Sequence, residues 1–154
     1  ERKDAVVLLL LERQADVSAR NSAGYTALHL AAGKGDVTAA RWLIERGAEV
    51  DSKANNGHTP LFSAVCNAHR GMIAFLLNVG ASAKTLDQKG ESLLHAAALS
   101  RFTHHDSVKW LIEAGADPEA RRKDGKTPPR RMRFVFVCAT RRQPTTMTMT
   151  YRCR

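Results

Sequence analysis

The 154-residue chain has the length of one domain, and its 44% hydrophobic and 25% charged residues are typical of a globular protein, which excludes global disorder. Its longest apolar run, residues 5–11, is too short to span a bilayer. The net charge of +9 suggests nucleic acid, but residues 1–120 carry 13 basic and 14 acidic side chains, while residues 121–154 carry 11 and one. We therefore expect a body of balanced charge followed by a basic tail.

A period of 33 residues organises the body. Two series of glycines recur at this spacing, with two extra residues before the last member of each: Gly24, Gly57, Gly90 and Gly125, and Gly47, Gly80 and Gly115. A fixed period of this length predicts stacked structural units, because one such unit cannot bury its own apolar face.

Each unit is predicted to begin with a short first helix. Three segments align at the repeat spacing: residues 26–32 (TALHLAA), 59–65 (TPLFSAV) and 92–98 (SLLHAAA). The leading Thr or Ser can accept an amide of the first turn, proline is tolerated there, and the small alanines allow helices to pack closely.

A second helix follows in each unit, at residues 37–46, 70–79 and 105–114, where apolar side chains recur every three to four residues. The glycine after each helix suits the left-handed C′ position. An extended stretch, residues 48–53 in the first unit, then leads to Asn56-Gly57, a pair typical of hairpin turns. The predicted fold class is an all-α solenoid of helix, turn, helix and hairpin.

The segments 26–32, 41–51 (RWLIERGAEVD) and 110–117 (WLIEAGAD) resemble the ankyrin repeat family, and the resemblance covers about residues 3–128. It implies an ankyrin-type solenoid that serves as a scaffold for protein recognition. It also implies that His29 and His95 are structural, each bridging its own Thr or Ser and a neighbouring loop amide.

The resemblance divides the chain into six parts. They are a partial unit (1–20), three units (21–53, 54–86 and 87–121), a truncated unit (122–128) and a tail outside the family pattern (129–154). Residues 5–13 (AVVLLLLER) resemble a second helix with no first helix before it, and the chain opens with Glu1 rather than Met. We interpret the chain as a monomeric fragment of a longer repeat protein.

Three departures from the family pattern lie within the body. Gln14 stands at a glycine position, which should weaken that helix cap by up to about 1 kcal/mol. Phe62 stands where the family prefers His, so the internal hydrogen bond is predicted to be lost in unit two. Unit three has two extra residues within 101–106, so the turn between its helices should bulge.

The tail departs more strongly, from Pro129 and Arg130 onward. Residues 127–154 contain no Leu, Gly, Lys, Asp or Glu, and all seven basic residues are Arg. A shifted reading frame or an unspliced intron explains this change best; the alternatives are an ordinary disordered tail and an Arg-rich, aromatic-interleaved segment that binds nucleic acid. Because Pro129 and the arginines oppose a buried helix, we expect no normal fourth first helix and disorder over most of residues 129–154.

Two motifs superficially suggest chemistry. Gly33-Lys34-Gly35 lacks the Ser/Thr of a phosphate-binding loop and is interpreted as the turn between helices. Cys66 and His69 could form one edge of a zinc site or a thiol–base pair, with His104 and His105 as further ligands, but the body contains no second cysteine. We predict no catalytic site, no metal and no cofactor.

The three cysteines are odd in number and unevenly spread, which does not describe a disulfide framework and favours a reducing compartment. We expect the cytoplasm, with the nucleus as the alternative.

Large apolar residues also occupy one equivalent position of the second helices, where we expect inter-repeat core rather than a hydrophobic docking strip: Leu9, Trp42, Phe75 and Trp110.

The predicted function is that of a non-catalytic protein–protein interaction scaffold with no membrane partner. Its protein or peptide partner is expected on the concave surface that the family forms from hairpin tips and first-helix faces. The alternative function is binding of nucleic acid or another polyanion through the basic tail. The predicted partner-binding residues are Ser22, Ala23, Tyr25, Lys34, Asn55, Asn56, His58, Asn67, Gln88, Lys89, Glu91 and Ser100.

Overall fold

The computed structural model describes residues 16–100 and 105–129, with the side chain of residue 105 left out. These ranges contain six α-helices in three consecutive pairs. In chain order they are α1 (Ala27–Lys34), α2 (Val37–Glu45), α3 (Pro60–Cys66), α4 (Arg70–Asn78), α5 (Leu93–Leu99) and α6 (His105–Glu113). The odd-numbered helices are the first helices of units one to three, and the even-numbered ones are the second helices.

The helix bounds agree with the sequence prediction to within one or two residues. Thr26, Thr59 and Ser92 occupy the N-cap positions, so each first helix begins one residue into its aligned segment. In unit two the Thr59 hydroxyl accepts the Phe62 amide at 3.3 Å. Pro60 occupies the first helical position, where its missing amide hydrogen costs nothing.

The glycines that follow the second helices have the predicted left-handed backbone, with φ of 87° at Gly47, 93° at Gly80 and 94° at Gly115. Gly24 and Gly57, in the first two hairpins, have a second reason to be glycine. A Cβ built on Gly24 would lie 2.8 Å from the backbone nitrogen of Asn55 in the next hairpin. Neighbouring hairpins therefore approach too closely for a side chain at this position.

Equivalent leucines of successive units form the core. Leu28, Leu61 and Leu94 of the first helices are fully buried, and the second helices contribute Leu43, Leu76 and Leu111. Within this stack, α1 packs against α2 and α3, α3 packs against α4 and α5, and α4 packs against α6. Burial therefore depends on the adjacent unit, as expected for a solenoid.

The turns between paired helices differ in length. The second helix begins ten residues after the first in units one and two, and twelve residues after it in unit three. The bulge was predicted within residues 101–106, of which 101–104 lie outside the described residues, so it stays a prediction. The predicted cap at Gln14, the apolar Leu9 and the expectations for residues 130–154 also lie outside them.

Each hairpin closes with short backbone hydrogen bonds rather than with a sheet. In the hairpin before α3, the amide of Ala54 donates to the carbonyl of His58 at 2.9 Å. The predicted extended stretch, residues 48–53, contains a turn in which the Ser52 amide donates to the Glu49 carbonyl at 3.4 Å. Within residues 16–100 and 105–129 the one β-bridge joins Leu86 and Ser92, so the described fold is all-α.

The beginning of unit four follows the same pattern. The Arg122 amide donates to the Lys126 carbonyl at 2.9 Å, which closes a fourth hairpin, and Pro128 after it is buried while Pro129 is exposed. Across the described part of the chain, no helix combines the length and the apolar character that crossing a membrane requires.

Candidate partner-binding surface

A ladder of backbone hydrogen bonds joins the four hairpins. In each step an amide of one hairpin donates to a carbonyl of the preceding hairpin, and the three donor–acceptor distances are almost equal. The bonds run from Asn55 to Ala23 at 3.1 Å, from Gln88 to Asn56 at 3.0 Å and from Lys123 to Lys89 at 3.1 Å. We call this set of bonds the hairpin ladder; it makes the hairpin tips one continuous row.

Side-chain amides reinforce the hairpin ladder. The Asn55 side-chain nitrogen donates to the Ser22 carbonyl at 3.1 Å, and Gln88, at the equivalent position of the next hairpin, donates to the Asn55 carbonyl. The Asn56 side chain also donates to the Tyr25 hydroxyl at 2.8 Å. These five predicted contact residues therefore hold neighbouring hairpins in register, and their polar groups are partly used inside the protein.

The imidazole of His29 connects unit one to the second hairpin. Its Nε2 lies 3.0 Å from the His58 carbonyl and must donate to it, so the neutral ring accepts the Thr26 amide at Nδ1, at 3.1 Å. Burial lowers the pKa of His29, and its hydrogen bond to the His58 carbonyl only partly opposes that shift. His95 repeats the arrangement with Ser92 at 3.2 Å and Lys126 at 3.1 Å, so both rings have the predicted structural role.

Unit two has a different arrangement at this position. Phe62 has no polar atom, so the bridge to the following hairpin is lost as predicted. Its ring instead stacks on His58, with centroids 4.1 Å apart and planes 21° apart. In unit one the corresponding pair, Tyr25 and His29, meets edge to face with centroids 5.2 Å apart.

Charged groups are concentrated at the third and fourth hairpins. Arg122 forms an ion pair with Glu91 at 2.8 Å, and both side chains are mostly buried. His58 Nε2 lies 3.9 Å from a carboxylate oxygen of Asp87. Burial lowers the pKa of His58, although Asp87 and Glu91 favour its protonated form and partly offset the effect. Glu91 is therefore engaged within the protein rather than free for a partner.

All twelve predicted partner-binding residues lie in the described part of the chain, and none is fully buried. Five are partly buried: Tyr25, Asn56, His58, Glu91 and Ser100. The other seven are exposed: Ser22, Ala23, Lys34, Asn55, Asn67, Gln88 and Lys89. Asn67 has a local role as well, since its side chain donates to the Ser63 carbonyl at 2.9 Å.

Two exposed apolar residues on the first helices were not predicted. Leu30 on α1 is 53% exposed, whereas its equivalents Ser63 and Ala96 are 8% and 3% exposed, because a preceding first helix covers those two. Leu99 at the end of α5 is 71% exposed.

Cys66 and His69, the candidate zinc or thiol–base pair, have separate surroundings in the structure. His69 Nε2 donates to the Gly33 carbonyl at 3.0 Å, and its ring lies against Gly35 in the turn of unit one. Burial raises the pKa of the Cys66 thiol, and Glu91 and Asp87 add to the shift, although the residue keeps solvent access. A catalytic thiol needs the opposite shift. Within residues 16–100 and 105–129 no three His, Cys, Asp or Glu side chains could together hold a metal ion.

The large apolar residues at the equivalent position of the second helices pack partly into the core. Trp42 and Phe75 are partly buried and packed against it, and Trp110 is also partly buried. Arginines lie over two of these rings: Arg41 is 5.5 Å from the Phe75 centroid and Arg70 is 5.2 Å from the Trp110 centroid.

Stacked helix pairs joined by a hairpin ladder define a repeat protein of the solenoid class. The family model for ankyrin repeats, in three copies, matches residues 1–87 and 54–124. The chain therefore belongs to the ankyrin repeat family, whose members generally mediate protein–protein interactions.

Two relatives are similar over shorter segments. Over 58 residues the chain is 43% identical to the Neurogenic locus Notch protein of Drosophila melanogaster. The matched segment covers 37% of this chain and 2% of that protein. Over 62 residues it is 37% identical to an ankyrin repeat-containing protein of Schizosaccharomyces pombe, covering 40% of this chain and 26% of that protein. The matched segments are thus small parts of both relatives.

Proposed function

We propose that this chain is a non-catalytic scaffold that binds a protein or peptide along its concave surface, formed by the hairpin tips and the first-helix faces. The hairpin ladder is the observation that carries the proposal. Because its three bonds hold the tips at fixed spacing, the exposed side chains between them form a pre-organised surface, and binding needs little ordering of the protein.

The chemistry of this surface suits a peptide better than a polyanion. Glu91 is paired with Arg122, so the free charge of the twelve predicted contact residues is limited to two exposed lysines, Lys34 and Lys89, which is little for a polyanion. Exposed amides at Asn55, Asn67 and Gln88 offer hydrogen bonds. A polar, weakly charged surface with few apolar anchors favours modest affinity.

The alternative function, nucleic-acid binding, rests on the 11 basic residues of segment 121–154. Salt titration separates the two functions, because neutralised phosphates make affinity fall steeply with salt.

We propose a reducing compartment, the cytoplasm, for which the free thiol of Cys66 is suited.

An unbiased displayed peptide library, selected on the full chain, tests the concave surface. We expect Ala23→Arg, at an exposed hairpin position, to weaken the selected peptides by about tenfold or more, since a buried charge at an interface costs at least about 1.4 kcal/mol. Thr38→Arg, exposed on α2, is the matched control and should leave affinity unchanged. Peptides that respond to Thr38→Arg and ignore Ala23→Arg would place binding elsewhere.

A further inference from the structure

The two junctions between second helices differ in the residue pair that stacks at the first of them. At the α2–α4 junction, the Arg41 guanidinium lies 5.5 Å over the Phe75 ring. At the α4–α6 junction, the repeat alignment puts Ala74 in place of Arg41 and Trp110 in place of Phe75. The arginine over Trp110 is Arg70, which lies one helical turn earlier on α4. The position of Arg41 is therefore taken by a small side chain at the second junction, where an arginine reaches the ring from one helical turn earlier.

A groove lies at this place. Small side chains from both helices leave it open beside the indole, and its lining consists of Ala74, Leu77, Asn78, Trp110, Glu113 and Ala114. Trp110 is only partly buried, so its ring is accessible from the groove. The groove contains none of the residues assigned above to the concave surface.

The electrostatics of the groove favour a cation. Asn78 is the last residue of α4 and Glu113 the last of α6, so two helix C-termini, each with about half a negative charge, meet at this end. The Glu113 carboxylate adds a full charge. Its contact with Lys109 is 3.9 Å long between half-exposed side chains, and such pairs are weak.

The other nearby cations leave this preference in place. Arg70 is paired with Asp106 at 2.8 Å. Lys84 lies against Gly115 just beyond the end of α6, where a Cβ on the glycine would come 3.0 Å from the Lys84 Cε. This lysine shows that the C-terminus of α6 already attracts a positive side chain from the chain itself.

We propose that the groove between α4 and α6 binds an arginine side chain of a partner protein. The guanidinium stacks on Trp110 and faces Glu113, as Arg41 stacks on Phe75 at the preceding junction. Arginine fits better than lysine because its planar, weakly hydrated head stacks on an aromatic ring. The occupant is thus defined by a contact that this chain makes within itself.

NMR of the two tryptophan indole N–H signals of the full chain tests the proposal, with acetyl-Gly-Arg-Gly-amide as the probe. We expect a saturable shift of the Trp110 signal, with Trp42 as the internal reference because it occupies the same position of unit one. The citrulline peptide, which keeps the shape without the charge, should give no saturable shift, and the lysine peptide a weaker one. Equal responses of both tryptophans, or equal binding of the citrulline peptide, would overturn the proposal.

Variants locate the site. Glu113→Gln should weaken the arginine peptide about two- to five-fold, the range of an exposed charge pair, whereas Glu45→Gln at the equivalent position of α2 should have no effect. Ala74→Arg should abolish the response of Trp110 by placing a guanidinium in the groove from within. If Ala74→Arg fails to fold, Glu113→Gln and Glu45→Gln still test whether the arginine peptide binds in the groove. Equal effects of these two variants on its affinity would reject the groove as the site.

Discussion

Units one and two are built on the same plan but differ in how the residue at the position of His29 contacts a hairpin. In unit one, His29 donates to the His58 carbonyl and accepts the Thr26 amide. In unit two, Phe62 stacks on the ring of His58 at 4.1 Å and makes no such bridge. The first helices of both units have the same cap residue and nearly the same length. His29 therefore joins its helix to the next hairpin, whereas Phe62 packs on the hairpin of its own unit.

The turns between the helices show a second difference. Gly35 of unit one has φ of 73°, and its equivalent in unit two, Ala68, has φ of 55°. Ala68 is the one residue other than glycine with positive φ in the part of the chain that the structure describes. Unit two therefore carries backbone strain that unit one avoids.

Replacing a core leucine should have the largest effect and should be alike in both units. Leu28→Ala and Leu61→Ala are each expected to lower the free energy of unfolding by about 2–5 kcal/mol, because both side chains are fully buried. Urea unfolding followed by circular dichroism measures the loss. Leu30→Ala, two residues along α1 and mostly exposed, is the control and should cost far less; near-neutral results at both core sites would mean that the repeat register is wrong.

Replacing His29 with the residue of unit two tests how much the polar bridge to the next hairpin stabilises the protein. His29→Phe should cost about 1–3 kcal/mol, since the buried Thr26 amide loses its acceptor and the His58 carbonyl loses a donor. The same urea experiment measures it. A cost near zero would show that the polar bridge contributes little to stability in unit one.

Exchanging the turn residues should give effects of opposite sign. Gly35→Ala is expected to cost about 1–2 kcal/mol for the left-handed backbone, and its Cβ would also lie 2.7 Å from Nδ1 of His69. Ala68→Gly should stabilise the protein by up to about 1 kcal/mol by relieving the same strain. Thermal unfolding of both variants checks the pair, and stabilisation by Gly35→Ala would refute the account of strain.

The pH dependence should give the smallest contrast. Burial lowers the pKa of His29 below its ordinary value of 6.5, so the unfolded chain takes up a proton more readily than the folded one. This contribution to stability is complete above pH 6.5 and is lost as the pH falls below it. His58 acts in the same direction. Urea midpoints between pH 5 and 8 should fall with acid and fall less in His29→Phe, and an equal slope in that variant would exclude His29 as a cause.

The repeat spacing was sufficient to predict the helices and their caps, and the resemblance to the ankyrin repeat family implied the bridging histidines. These features depend on residues near one another in the sequence, such as Thr26 with His29, or on the 33-residue alignment itself. The partner-binding residues could be predicted only as positions on a surface. Their hydrogen bonds, such as that from Asn56 to Tyr25, join side chains of different units. Such contacts can be seen only in the three-dimensional structure.

Features that arise where one unit differs from the next were not predicted from the sequence. Leu30 lies in a segment that matches buried segments elsewhere, and its exposure depends on what precedes α1. The groove beside Trp110 arises because Arg41 is replaced by Ala74 one unit later, and its importance is visible only when the Arg41–Phe75 contact is known. The strain at Ala68 is likewise a property of the backbone rather than of the residue type.

The hairpin ladder also shows where this architecture tolerates change in chain length. Its bonds join residues 32 apart at the first two steps and 34 apart at the third, yet all three measure 3.0 to 3.1 Å. The two additional residues of unit three fall between α5 and α6 and do not disturb the bond from Lys123 to Lys89. Insertions between paired helices can therefore accumulate during evolution while the hairpin row keeps its geometry, and the same turn offers an engineer a place to graft a loop.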